Sequence, residues 1–301
     1  MSVDVKVQRG KGKEFPPDTR PFLCVPYWTS PPGAGSNWDT GQDRPLPGTI
    51  VGYLCESIHA GPYMPGEPLD VTVDVRNSGG GNSASIVTVA VYWADPTVGF
   101  ARPRFFAAAS VAVPPSRTAP AVVSTPTMRA TIPATAPPHV CLLVAVSHPQ
   151  DRAGKACDPI NDRHWAQRNL WVAQVAPGAP ALVPFTAANP FDRERAFLLR
   201  LRPIDERHAR QIAHEFGTEP TNVPLRMRLL DAEGAAISNY DERTGTAAVT
   251  IGPLEERPLQ LLVEMDDELS PGQSTGLQAT LRDGDRMVGS LGVVVLAPDR
   301  R

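Results

Sequence analysis

Leu69-Asp-Val-Thr-Val-Asp-Val-Arg-Asn-Ser-Gly79, followed after a short polar stretch by Ala84-Ser-Ile-Val-Thr-Val-Ala-Val-Tyr-Trp93, decides the fold class. Both segments alternate strictly. Val71, Val73 and Val75 point to one side of an extended chain, and Asp70, Thr72, Asp74 and Arg76 to the other. In the second segment Val87, Val89, Val91 and Trp93 share a face. Such alternation belongs to consecutive β-strands, joined at a glycine-rich turn, whose antiparallel sheet is buried on one side. It predicts an all-β protein made of sandwiches.

The same reading extends outward. Around the first pair, strand candidates recur at about 48–55, 105–113, 121–132, 139–147 and 168–175, the spacing of an immunoglobulin-like sandwich. Prolines such as Pro114, Pro115, Pro126, Pro137 and Pro138 separate the apolar runs and block helix propagation. Ala176-Pro-Gly-Ala-Pro180 is a stiff boundary. A second set of strands follows at about 181–187, 196–202, 224–230, 246–251, 258–265, 275–282 and 286–296. Within it, Asp205 to Phe216 has helical spacing, with Asp205 as the cap and Gly217 as the stop. Arg282-Asp-Gly-Asp-Arg286 reads as a hairpin turn, since Asp-Gly supplies positive φ readily.

The expected organisation is therefore an irregular extension over 1–45 packed on the first sandwich, a sandwich over 46–175, and a second sandwich over 181–298. The 301 residues suit that division. Aromatics in the extension (Phe15, Phe22, Tyr27, Trp28 and Trp38) are too numerous for a solvated tail, and Phe22 to Trp28 is expected to form an extended edge piece.

Composition narrows the function classes. A net charge of −3 gives no reason to expect nucleic-acid binding. No apolar run reaches the roughly 20 residues needed to cross a bilayer as a helix. The first residues lack the apolar core of a secretory signal, so the expectation is a cytoplasmic protein, with release or export as part of an assembly left open. The four cysteines, Cys24, Cys55, Cys141 and Cys157, are then expected as free, mostly buried thiols. In an oxidising space, Cys141–Cys157 and Cys24–Cys55 are the pairs to test.

At this point the residues match a known family. The run from Leu69 to Gly80, with Ala84-Ser-Ile-Val-Thr-Val-Ala-Val-Tyr-Trp-Ala-Asp-Pro96, resembles the bacterial immunoglobulin-like modules called CARDB, for cell adhesion related domain. His139 to Ser147 and Asp162 to Asn169 look like the closing strands of that module and the loop before them. The resemblance covers about residues 48–175, and the second half looks like a more diverged sandwich of the same class. It implies a spacer or binding module.

Candidate chemistry is sparse. The loop Asp151 to Gln167 carries Asp158, Asn161 and Asp162, whose oxygens could serve a calcium ion. The same residue types also stabilise turns by bonding their own backbone, with no metal required. Zinc has no supporting spacing: Cys157 and His164 form only a loose pair. His208 and His214 lie on different faces of the helix and are expected to be exposed. No nucleophile motif occurs, so no catalytic residue is assigned and no cofactor beyond the calcium alternative. Exposed aromatics could stack on sugar rings, and Tyr92, Trp165 and Trp171 are the candidates, unless other segments cover them. The leading expectation is a non-catalytic structural or protein-binding subunit, self-assembling or joined to protein partners through edge strands. A carbohydrate-binding adhesion module is the alternative.

Overall fold

The structure is a computed structural model, and it describes residues 19–29, 38–116, 122–169, 173–174, 180–265 and 269–296. In the first unit the chain forms β1 (Leu23–Cys24), β2 (Ile58–Ala60), β3 (Pro68–Asn77), β4 (Ser85–Ala94), β5 (Thr97–Val98), β6 (Arg104–Val113), β7 (Val122–Ser124), β8 (Met128–Thr131), β9 (Cys141–Ser147) and β10 (Trp165–Asn169). Then come β11 (Ala173–Gln174), β12 (Ala181–Ala188), β13 (Arg195–Pro203), α1 (Glu206–Phe216), β14 (Glu219–Pro220), β15 (Leu225–Asp231), β16 (Thr246–Ile251), β17 (Glu256–Met265), β18 (Gln273–Asp283) and β19 (Arg286–Leu296).

The first sandwich lays a sheet built around β3 over a four-stranded sheet ordered β10-β9-β4-β6. β1 and β2 flank β3 on one side, β7 and β8 on the other, all antiparallel. The two decisive segments are thus strands of opposite layers rather than hairpin partners. Their alternation holds: Val71, Val73, Val75, Val87, Val89 and Val91 are fully buried between the layers, with Trp93 among them. Each buried valine contributes on the order of 1.5 kcal/mol or more. The strand order is that of an immunoglobulin-like sandwich.

The second unit repeats the plan. One sheet is ordered β11-β19-β18-β13-β16 and the other β15-β17-β12-β5. The one helix among the described residues, α1, starts where the Asp205 carboxylate accepts the His208 backbone N–H at 2.9 Å. It ends at Gly217, whose φ of 62° is the left-handed conformation that glycine tolerates. Ile212 is buried against Val51, Tyr53, Leu54 and Val294. His208 is buried too, contrary to expectation, while His214 is exposed. The Arg282–Arg286 turn forms, with Gly284 and Asp285 as its two loop residues and only the glycine at positive φ.

Three differences from the expected strands have a common cause. Residues 48–55 form turns rather than a strand, because Val51, Tyr53 and Leu54 turn toward the second unit. The edge piece beside β3 is β2 instead. The last strand of the first unit starts earlier, at Trp165, and β11 pairs with β19 of the second. Finally, β5 leaves the first sandwich and pairs in parallel with β12, Thr97 opposite Thr186 and Val98 opposite Ala187. Contact between the units overrides local strand propensity in each case.

That contact is continuous. β9 is buried on both faces: Leu142, Val144 and Val146 face the first core, while Cys141, Leu143 and Ala145 join the second unit's core with Val98, Phe100, Val288 and Leu291. Backbones approach closely at glycines. A Cβ on Gly289 would fall 2.0 Å from the Gly99 nitrogen, and one on Gly292 would fall 2.1 Å from the Tyr53 ring. Buried amides stitch the rest: Gln167 Nε2 donates to the Ser290 carbonyl at 3.1 Å and Asn169 Nδ2 to that of Gly292 at 2.8 Å.

The N-terminal segment packs on this body. Tyr27 is buried, its hydroxyl accepting the Gln167 N–H at 3.0 Å and donating to the Gly52 carbonyl at 3.1 Å. Asp39, fully buried, accepts the Tyr27 and Gly41 N–H groups and pairs with Arg44 at 2.9 Å.

Candidate functional site

The β9–β10 connection holds the densest group of polar side chains singled out by the sequence. Asp158 Oδ1 accepts both the backbone N–H of Asn161, at 3.2 Å, and its side-chain amide, at 2.7 Å. Asp158 also pairs with Arg286. The Asn161 amide donates onward to the Met287 carbonyl at 2.8 Å. These two residues therefore bind the loop to the second unit's hairpin. Asp162 turns elsewhere: Oδ2 accepts the Gly154 N–H at 2.8 Å, and Oδ1 accepts the N–H and the ring Nδ1 of His164 at 3.0 and 2.7 Å. As a donor set for calcium the trio fits poorly, since its oxygens are engaged by N–H groups and its members do not converge. Among the described residues no three His, Cys, Asp or Glu side chains come together in a way that could hold a metal ion.

His164 is the most constrained of these groups. Its Nε2 stands 3.1 Å from Asp151 Oδ1, opposite Asp162, and the ring is nearly inaccessible. Burial alone would lower its pKa, but the two carboxylates outweigh burial and raise it above the usual histidine value. Asp151 and Asp162 are in turn held below the usual carboxylate range: burial opposes the shift, and their bonds to His164 and to backbone N–H groups produce it. Asp151 also accepts the Leu23 N–H at 2.6 Å and pairs with Arg163. The cluster clamps β1 and the loop together.

The thiols are equally closed. All four cysteines are free and buried. Burial pushes Cys55 and Cys141 up to about 12 and raises Cys24 and Cys157 further, so none carries the thiolate that nucleophilic chemistry needs.

Of the aromatic candidates, Tyr92 and Trp165 are brought together on the outer face of the β10-β9-β4-β6 sheet, ring centres 5.7 Å apart. Trp165 is covered by the second unit, and its Nε1 donates to the Gly154 carbonyl at 3.0 Å. Trp171 lies outside the described residues. The most exposed aromatic among the described residues is Phe105, 62% exposed and edge-on to Tyr92 at 5.9 Å. Sequence reading missed it, although the doublet Phe105-Phe106 was a signal: adjacent strand residues face opposite ways, so one had to point outward.

Between the units lies a cleft of about 750 Å³, lined by Pro96, Pro137, Pro138, Leu182, Pro184 and Pro258 among others. His139 borders it, and burial lowers its pKa to about 3, so the ring is neutral there. The cleft offers apolar wall and few converging polar groups.

The feature that stands apart is β6. It is ten residues long and forms the outer edge of its sheet, paired with β4 alone. Arg104, its single charge, is held by Asp95 and stacks over Trp93 at 4.3 Å. From Phe105 to Val113 there is no charge and no proline. Among the described residues nothing hydrogen-bonds to its outer backbone. Three other edges are occupied: residues 53–55 bond to β10, residues 235–237 to β15, and Asn239 and Asp241 to β16. The remaining edge strands of the β3 sheet, β2, β7 and β8, are only three or four residues long. Beside β6, Ile86 on β4 is 64% exposed. Natural sheets guard such edges with lysine, proline or bulges, and β6 has none along its regular part.

No family model and no curated protein matches the chain. Of the CARDB resemblance, the immunoglobulin-like sandwich is what the strand order supports. Solved structures similar to the chain include the CupB6 tip adhesin from Pseudomonas aeruginosa, at 7% identity over 81% of this chain and 93% of that one, with a TM-score of 0.24. The collagen adhesin from S. aureus is similar at 10% identity, over 80% and 91%, with a TM-score of 0.23. At such scores neither likeness bears on function, and the immunoglobulin-like description of this chain rests on its own strand order.

Proposed function

We propose that this protein is a non-catalytic structural or binding subunit that works by β-strand addition at β6. The observation that carries this reading is the bare edge itself: a long run of uncharged residues whose outer backbone groups meet no partner among the described residues. Backbone pairing supplies affinity in this mode, and side chains on alternate positions supply selectivity. The absence of a catalytic assignment follows from the same chemistry. The buried thiols are protonated, and the acidic groups of the 151–164 loop are spent on turns and on His164.

The test is a single charge on the edge. Ser110→Lys, at an exposed position of β6, is expected to abolish co-purification of partners from the native host while leaving the melting temperature within about 2 °C, as for other surface substitutions. Equal partner recovery with wild type and variant removes the reading.

A carbohydrate-binding adhesion module is the second reading, and one observation favours it: Phe105 and Tyr92 form an aromatic pair at the surface of the same sheet. A glycan-array signal that disappears in Phe105→Ala would support it, and an empty array would end it. Calcium is expected to play no part in either case, so adding it should leave the melting curve unchanged.

A further inference from the structure

The occupant of the β6 edge can be argued from the strand's own pattern. The pairing of β6 with β4 shifts register near Tyr92 and Phe105, so the regular part of the strand runs from Ala107 to Val113. Within it Val111 and Val113 are buried, while Ala108, Ser110 and Ala112 face solvent. Residues directly opposite in an antiparallel pair project to the same face. A partner strand therefore keeps the sandwich's inside and outside aligned only when buried positions oppose buried ones.

A foreign strand would be selected by charges or pockets along the edge, and the Ala107–Val113 run has no charge to offer. A two-fold, by contrast, asks only that a strand match itself, and this one does. With Ser110 opposite its own copy, Ala108 meets Ala112, Ala109 meets Val111, and Ala107 meets Val113. No like charges are opposed, and the outward side chains are small enough for close approach. Arg104 falls outside the paired run, already held by Asp95. Pro114 and Pro115 end the run on the other side, where proline stops a ladder.

We infer that β6 pairs antiparallel with the β6 of a second copy about a two-fold axis at Ser110, so that the two β10-β9-β4-β6 sheets continue as one. This rests on the reading of β6 as the contact edge and names the partner for it.

Light scattering across a concentration series tests it. Wild type is expected at twice the chain mass and Ser110→Lys at the chain mass, the variant still unfolding cooperatively and only the wild type showing a melting temperature that rises with concentration. Ser110→Cys is expected to give a covalent dimer under a mild oxidant, and since the native cysteines are buried, the cross-link reports position 110. A wild type that stays at the chain mass at every concentration overturns the inference, as does a dimer that Ser110→Lys leaves intact. In either event the broader reading fails separately: host partners lost with Ser110→Lys keep β6 as an edge for a foreign strand, and undiminished partners remove both.

Discussion

The sheets β10-β9-β4-β6 and β19-β18-β13-β16 are built to one plan, yet they end differently. Their near ends meet: Gln167 and Asn169 of β10 donate to carbonyls of β19, and Gly289 of β19 presses on the Gly99 backbone beyond β5. Their far ends diverge. On β16, Asn239 Nδ2 donates to the Ala248 carbonyl at 2.7 Å and Asp241 exchanges backbone bonds with Thr246. On β6 the equivalent groups are left open. The second sandwich covers this edge with side chains and a loop, whereas no described residue covers the outer backbone of β6 in the first. Edge exposure is thus a local choice of covering residues, independent of the strand order that both units share.

The near ends should give the largest effect. Gly289→Val places a side chain where the Gly99 backbone already lies, and separating the strands is the only relief. It is expected to cost about 3 kcal/mol or more and to give two calorimetric transitions where the wild type is expected to give one. One unbroken transition at wild-type temperature would show that the two sheets do not depend on this contact.

Gln167→Leu comes next. It removes the bond to Ser290 and leaves that carbonyl buried without a donor, for about 1–3 kcal/mol by chemical denaturation. A smaller loss than that of an exposed-site control would mean water replaces the amide.

The His164 cluster gives a pH dependence confined to the first unit. Because the folded pKa of His164 is raised, its contribution is fully present below the unfolded value of about 6.5 and is lost as pH rises through the folded one. Asp151 and Asp162, with depressed values, contribute above the unfolded carboxylate range and lose that contribution as pH falls through their folded values. Stability should therefore decline above about pH 6.5, and His164→Gln should flatten that limb. A decline that survives the substitution points to another group.

The smallest effect belongs to the far end of the second sheet. Asn239→Ala uncaps one carbonyl of β16 at the surface and should cost about 0.5–1.5 kcal/mol. It should also make the two far edges more alike, detectable as faster hydrogen exchange along β16 in the variant with β6 unchanged.

The sandwich class was legible because burial alternates within a strand, and that information is local. Val71 to Val75 and Val87 to Trp93 declare their faces without reference to the rest of the chain. Continuous runs said as much in another way: Val140 to Val146 is apolar throughout because both of its faces are covered. What sequence could not convey is adjacency. Residues 105–113 read as a strand, but edge status depends on which strands arrive beside it. Val51, Tyr53 and Leu54 read as strand residues because nothing local reveals that they face a helix far along the chain. Asp158, Asn161 and Asp162 were recognisable as turn-formers or ligands by type, and only geometry separates the first two, tied to Arg286 and Met287, from the third, tied to His164.

The parallel pairing of Thr97 and Val98 with β12 has a consequence for how the chain is made. A ribosome delivers β5 well before Ala181 to Ala188 exists, so the newborn N-terminal half must hold that short strand without its mate until synthesis catches up. Translation pausing between the two stretches, or a truncated message ending there, would strand a half-molecule with a sticky flap. Gene fusions cut at the Pro-Gly boundary inherit the same defect, so the chain can be moved between contexts whole but not by halves.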